Sequence, residues 1–318
     1  MDHSTDHEII IMDDRRAFVA AASAISRADE ALLNRDPARA SMRKTIREEA
    51  SAIAGLEGHA IRAEAVCRLI GNRDTSHLDR GTRLATDIYD AMLIAEKWTD
   101  EPPSSEAVMQ VFSKSDESYG RLMRPDVVWT MEDDAAWLSR ECEVVFETPE
   151  PWVAVDAIRR IWNSGRFQGT SRRMAMLCAP WIVARGFSCA SPVHGLAQQI
   201  RRDLDGFRTA SKTSDEWALL TANSLARAAA GNHRRIGDMA AERATLLALC
   251  PPERSSSSIS KTIDFMIVQP IFTVKGLCDA VGLTPKGASV VLAKLEDAGV
   301  LEVEGGSRNR NYVCRRTI

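Results

Sequence analysis

The stretch from Thr273 to Tyr312 restricts the fold of this chain more than any other. Its punctuation is dense and regular. Residues 274–281 put Leu277, Ala280 and Val281 on one helical face, and Gly282 supplies the left-handed residue that a tight helix ending favours. Thr284 is placed to cap a following helix, with Pro285 in its first turn. In that helix Ala288, Val291, Leu292 and Leu295 share one face, and Gly299 closes it. Residues 300–303 and 311–313 read as strands, with Gly305-Gly306 in the turn between them. Upstream, residues 259–268 form a helix carrying Ile263, Met266 and Ile267. It stops before Pro270, and Phe272-Thr273 supplies a short strand.

Three helices, a short strand and a hairpin in this order make a winged helix-turn-helix, a module that usually sets its last helix in a DNA groove. Burying the apolar face of that helix turns Lys286, Ser289, Val290, Ala293 and Lys294 outward. The hairpin, or wing, carries Arg308, Asn309 and Arg310, and Arg315 and Arg316 follow it. Short side chains let a helix approach base edges, and arginines hold phosphates. The candidate DNA-binding residues are therefore Thr284, Lys286, Ser289, Val290, Lys294, Arg308, Asn309 and Arg310, and the partner they imply is double-stranded DNA. From Pro251 onward there are nine Lys/Arg against seven Asp/Glu, a balance of +2; the chain total of -3 leaves -5 for the remainder. Glu302 and Glu304 lie near the wing and would repel phosphates. Winged helices also dock on proteins, so a scaffold role stands as an alternative.

Everything before residue 250 reads as helix. Aromatic residues make up 6% of a chain rich in Ala, Leu and Arg, a usage that favours helices over strands. Residues 1–12 are a loose start. Helical patterns then cover residues 13–34, 41–56, 62–70, 77–98, 106–112, 133–146, 153–164, 171–185, 193–204, 214–230 and 232–249, with Pro180 expected to kink or divide its helix. Two prolines and four serines in residues 250–258 change the character of the chain. The expected organisation is a helical body over 1–250, a Pro/Ser linker over 251–258 and a winged helix-turn-helix over 259–318, an all-α protein ending in a small β-hairpin.

Other chemistry is thinly signalled. Seven cysteines without a C-x-x-C pair read as reduced thiols, the start of the chain is too polar for a signal peptide, and no long apolar run marks a membrane span. A cytoplasmic protein is expected. No pair among the six histidines sits at ligand spacing on a firm helix, so neither a metal nor a cofactor is expected. Glu132-Asp133-Asp134 reads as a helix start, and the tryptophans as packing residues.

Two stretches of the body carry a resemblance. Residues 48–58 end in Glu57-Gly58, and residues 167–177 begin Phe-Gln-Gly-Thr-Ser-Arg-Arg. The first resembles the helix where many Fic proteins hold an inhibitory Ser/Thr-x-x-x-Glu-Gly, with Ile53 at the Ser/Thr position. The second resembles the end of the Fic catalytic loop and the helix after it. A helical body followed by a winged helix is also the order of parts in many Fic proteins. It is similar as well to an uncharacterised bacterial family of helical proteins ending in a helix-turn-helix. The Fic catalytic motif, His-x-Phe-x-Asp/Glu-Gly-Asn-Gly-Arg, has no counterpart run. If Arg173 matches the arginine three residues past that motif, Trp162 falls at the histidine and Gly169 is the one loop glycine kept. The resemblance implies a Fic-like body that has lost nucleotidyl transfer; an unrelated helical bundle is the alternative. The expected function is a DNA-binding regulator whose body dimerises or binds an effector or partner. A nucleotide-dependent enzyme, its phosphate loop rebuilt from residues 165–173, is the competing reading.

Overall fold

The computed structural model describes residues 3–34, 38–72, 79–99, 101–117, 125–250, 258–306 and 310–317. The molecule is predominantly helical, with one small three-stranded antiparallel sheet near its C-terminus. The body comprises α1 (His3–Asn34), α2 (Ala38–Leu56), α3 (Ala63–Asn72), α4 (Arg80–Ala95), α5 (Ser105–Ser115), α6 (Pro125–Glu147), α7 (Pro151–Asn163), α8 (Ser171–Gly186), α9 (Leu196–Arg202), α10 (Leu204–Ala210) and α11 (Ser214–Leu249). The C-terminal part comprises α12 (Ser258–Val268), β1 (Ile271–Phe272), α13 (Val274–Val281), α14 (Pro285–Asp297), β2 (Glu302–Glu304) and β3 (Asn311–Val313). Its strands lie in the order β1-β3-β2, with Phe272 and Val303 flanking Tyr312.

Helix α8 is the centre of the body. Fourteen of its sixteen residues are buried, and α7 lies along it. This burial explains why Pro180, expected to kink or divide the helix, does not divide it: neighbours on every side hold the turn that the missing N–H weakens. Trp217 of α11 is fully buried, its indole N–H donating to Val155 O at 3.1 Å and its ring meeting Trp162 and Phe207.

Several local expectations give way to tertiary packing. Residues 214–230 and 232–249 form one 36-residue helix, because a glycine inside a helix costs only about 1 kcal/mol and α11 packs along α1. Helix α1 begins at His3, inside the stretch expected to be loose. Residues 193–204 divide between α9 and α10, where Asp203 leaves helical geometry and caps α10 through Gly206 N. Helix α6 starts at Pro125, so Asp134 is an interior residue rather than a helix start.

Two apolar cores organise the chain. The larger joins the body helices, and the smaller joins α12, α13, α14 and the sheet to Met239 and Leu246 of α11 and to Cys250 just after it. The last turns of α11 thus pack with the C-terminal part. The linker expected at 251–258 lies outside the described residues, apart from Ser258, which opens α12.

The C-terminal part is also seated on α2 and α3. Gln269 Nε2 donates to Cys67 O at 2.8 Å, Lys44 Nζ to Thr317 O at 3.3 Å, and Arg47 to Val268 O. Cys67, Ile271 and Val313 form a small buried cluster at this seam. A Cβ on Gly71 would fall 2.0 Å from Ile271 O, so only glycine permits α3 to approach β1 this closely.

Candidate functional site

Helix α14 forms because Thr284 Oγ1 accepts from Gly287 N at 3.1 Å while Pro285 fills the first turn. Ala288, Val291, Leu292 and Leu295 are buried against α12 and α13. That burial leaves Thr284, Lys286, Ser289, Val290, Ala293 and Lys294 exposed along one surface. Val290 is 53% exposed, unusual for a branched apolar side chain. Ser289 Oγ donates to Pro285 O at 2.9 Å, so towards a ligand its hydroxyl has acceptor capacity only.

The hairpin beside α14 presents Arg310 as an exposed cation; Arg308 and Asn309 lie outside the described residues. Its other charges are engaged within the molecule. Arg315 meets Glu302 at 3.2 Å, Glu64 at 3.3 Å and also Glu304, while Arg68 of α3 meets Glu304 at 2.6 Å. Hydrogen bonds from Arg68 hold both Glu64 and Glu304 below the usual carboxylate range. The repulsion expected of Glu302 and Glu304 is largely neutralised in this way. The same contacts remove Arg315 from the set of phosphate-holding arginines. Arg316 turns away from the hairpin, towards a cavity shared with α2, α9 and α11. The pairings with α3 are not visible in local spacing, since Arg68 and Glu304 lie 236 residues apart.

The second candidate is the loop before α8. A cavity of about 430 Å³ lies there, lined among others by Glu57, Trp162, Gly169, Ser171, Arg172 and Arg173. Phe167 is held in left-handed backbone geometry, at φ 55, which costs a side-chain-bearing residue about 1–2 kcal/mol. Its ring is fully buried against Phe112, and its N–H donates to Asp134 Oδ2 at 2.7 Å. Arg166 meets the other oxygen of Asp134 at 2.8 Å. Asp134 therefore clamps the loop, a role that sequence reading missed because it depends on a contact 33 residues away.

Arg173 is wholly enclosed. Glu57 receives it through both oxygens, at 2.5 and 2.6 Å, Asp116 at 3.0 Å and Ser115 O at 2.9 Å. Burial opposes its charge, but hydrogen bonds and attraction from Glu57 and Asp116 outweigh that cost and raise its pKa. An incoming anion would have to displace two carboxylates. Trp162 is buried against Trp217 and offers no base, and among the described residues no histidine lines the cavity. The cationic groups of the loop, Arg172 and Arg173, line this cavity beside the carboxylate of Glu57.

Among the described residues no group of three His, Cys, Asp or Glu side chains could hold a metal ion, and no helix is long and apolar enough to cross a membrane. No protein-family model matches the chain, and no curated protein matches it.

Proposed function

We propose that this protein is a cytoplasmic DNA-binding regulator. In this reading α12, α13, α14 and the β2–β3 hairpin form a winged helix-turn-helix, with α14 as the helix that enters the major groove. The single observation that carries it is the exposed surface of α14. Its underside is fully used in packing, yet Lys286, Val290 and Lys294 are exposed on its outer face. Lys286 and Lys294 serve phosphates, Val290 meets a thymine methyl, and Ser289 accepts from a base amino group. Arg308, Asn309 and Arg310 follow the neighbouring backbone from the wing. The body is read as Fic-like without transfer chemistry, because Arg173 is closed off by Glu57 and Asp116 and Trp162 stands where a base would be needed. Two copies binding paired half-sites would multiply affinity, so a homodimer belongs to the same proposal.

The test is fluorescence anisotropy of the full chain with a labelled duplex, across a salt series. Affinity should fall steeply as salt rises, and Lys286→Ala/Lys294→Ala should lower the log–log salt slope by about 2. An absence of binding at low salt, or a slope untouched by the double variant, would refute the reading.

A further inference from the structure

A further cavity lies away from both α14 and the loop before α8. It is a groove of about 770 Å³ at the seam where α2, α9 and α11 meet Ile267, Arg316 and Thr317 of the C-terminal part. Its size falls within the range of small-molecule sites, about 300–1,000 Å³.

The charge of its lining is distinctive. Six cations (Lys44, Arg202, Arg227, Arg234, Arg235 and Arg316) face three carboxylates, a surplus of +3 in a chain whose net charge is -3. Among the described residues, Arg235 is the cation of this lining held in an ion pair, by Glu48 at 2.6 Å. Among the described residues, Arg202, Arg227, Arg234 and Arg316 make no ion pair, and all four are exposed. Four cations from α9, α11 and the C-terminal turn outnumber the two remaining carboxylates of the lining, Asp238 and Glu242, and a bound anion would offset that surplus.

Two further groups narrow the chemistry. Gln198 Nε2 and Glu242 Oε1 line the same cavity, are buried, and have no hydrogen-bond partner in the protein. A buried donor left unpaired costs about 1–3 kcal/mol, and more for a charged acceptor. A phosphate oxygen would satisfy Gln198, but Glu242 needs a donor, which a bare phosphate dianion lacks. The α11 wall is also kept small. Ala228, Ala230 and Gly231 line it, and a Cβ on Gly231 would meet no heavy atom within 4 Å. A glycine in mid-helix costs about 1 kcal/mol against alanine, and here it leaves room on the cavity side.

We infer that this groove binds a phosphorylated small molecule bearing hydroxyl groups, a sugar phosphate or nucleotide, and that the ligand clamps the C-terminal part to the body through Arg316. The inference deepens the regulator reading by supplying an effector site. It rests on that reading only for its consequence at DNA, and binding itself is measurable without DNA.

The experiment is isothermal titration and thermal unfolding of the full chain in phosphate-free buffer. The probes are AMP, ribose 5-phosphate and inorganic phosphate. AMP or ribose 5-phosphate should bind and raise the unfolding midpoint, and inorganic phosphate should do so far less. Arg316→Gln should weaken binding about tenfold to a hundredfold, the loss expected when one charge-assisted hydrogen bond goes. Gly231→Trp, which fills the groove without touching a charge, should abolish binding while the apo midpoint holds. The inference is overturned if neither organic phosphate binds, if inorganic phosphate does equally well, or if both variants bind like the wild type. Loss of DNA binding would leave each of these readouts intact.

Discussion

Glu49 and His194 together should add almost nothing to the pH dependence of stability between about 4.5 and 6.5, because their titrations cancel. Both are enclosed in the body, at 1% and 2% exposure. Burial pushes the Glu49 carboxyl from an ordinary 4.5 up to about 7, although it accepts from Ala197 N at 2.9 Å. Burial, with a smaller push from Arg43, drives the His194 imidazole from 6.5 down to about 3. In the folded state both side chains are therefore neutral across that window. On unfolding Glu49 releases a proton and His194 takes one up, so the net change is zero. Taken alone, the raised carboxylate favours folding most at low pH, and that contribution disappears as pH rises from 4.5 through 7. The depressed imidazole contributes above 6.5, and its contribution is lost as pH falls towards 3. Each term has a slope of about 1.4 kcal/mol per pH unit. Removing one partner should expose the other. Stability of Glu49→Gln relative to wild type should climb with pH, by about 3 kcal/mol over the whole shift. His194→Phe keeps the ring against Trp181 and leaves no buried ring nitrogen without a partner. Its stability relative to wild type should fall with pH by a similar amount over the same window. Urea denaturation at about pH 5, 6 and 7, compared as differences from wild type, cancels the other titrating groups. A difference that stays constant with pH in either variant would show that burial does not hold that group neutral.

Three other outcomes follow from single contacts. Gly71→Val places a side chain against Ile271 O and should cost about 1–3 kcal/mol in chemical denaturation, as overpacking does, with loosening at the seam between α3 and β1. Arg173→Met leaves Asp116, which is fully enclosed, and Glu57 without their cation; the expected loss is about 3–5 kcal/mol by the same assay. Arg315→Gln should leave DNA affinity in the anisotropy assay unchanged, since its guanidinium is already held by Glu64, Glu302 and Glu304.

Local sequence determined the C-terminal elements closely, because each carries its own start and stop. Thr284 caps its helix through Gly287 N, Gly282 takes a left-handed φ of 74, and the buried face of α14 is the one its spacing predicts, whereas Thr273, expected in the short strand, caps α13 through Gly276 N. Caps and amphipathic periodicity act within a few residues, so they are legible without coordinates. What only the tertiary structure decided acts over long separations. Burial carried α8 past Pro180, and packing on α1 joined two expected helices into α11. The ion pairs that withdraw Arg315 and enclose Arg173, the clamp of Asp134 on the loop at Phe167, and the cation-lined groove at the seam all join residues from separate elements. Each depends on which surfaces meet once the chain has collapsed. That is set by the sum of many weak contacts between distant segments, and no short window of sequence contains it.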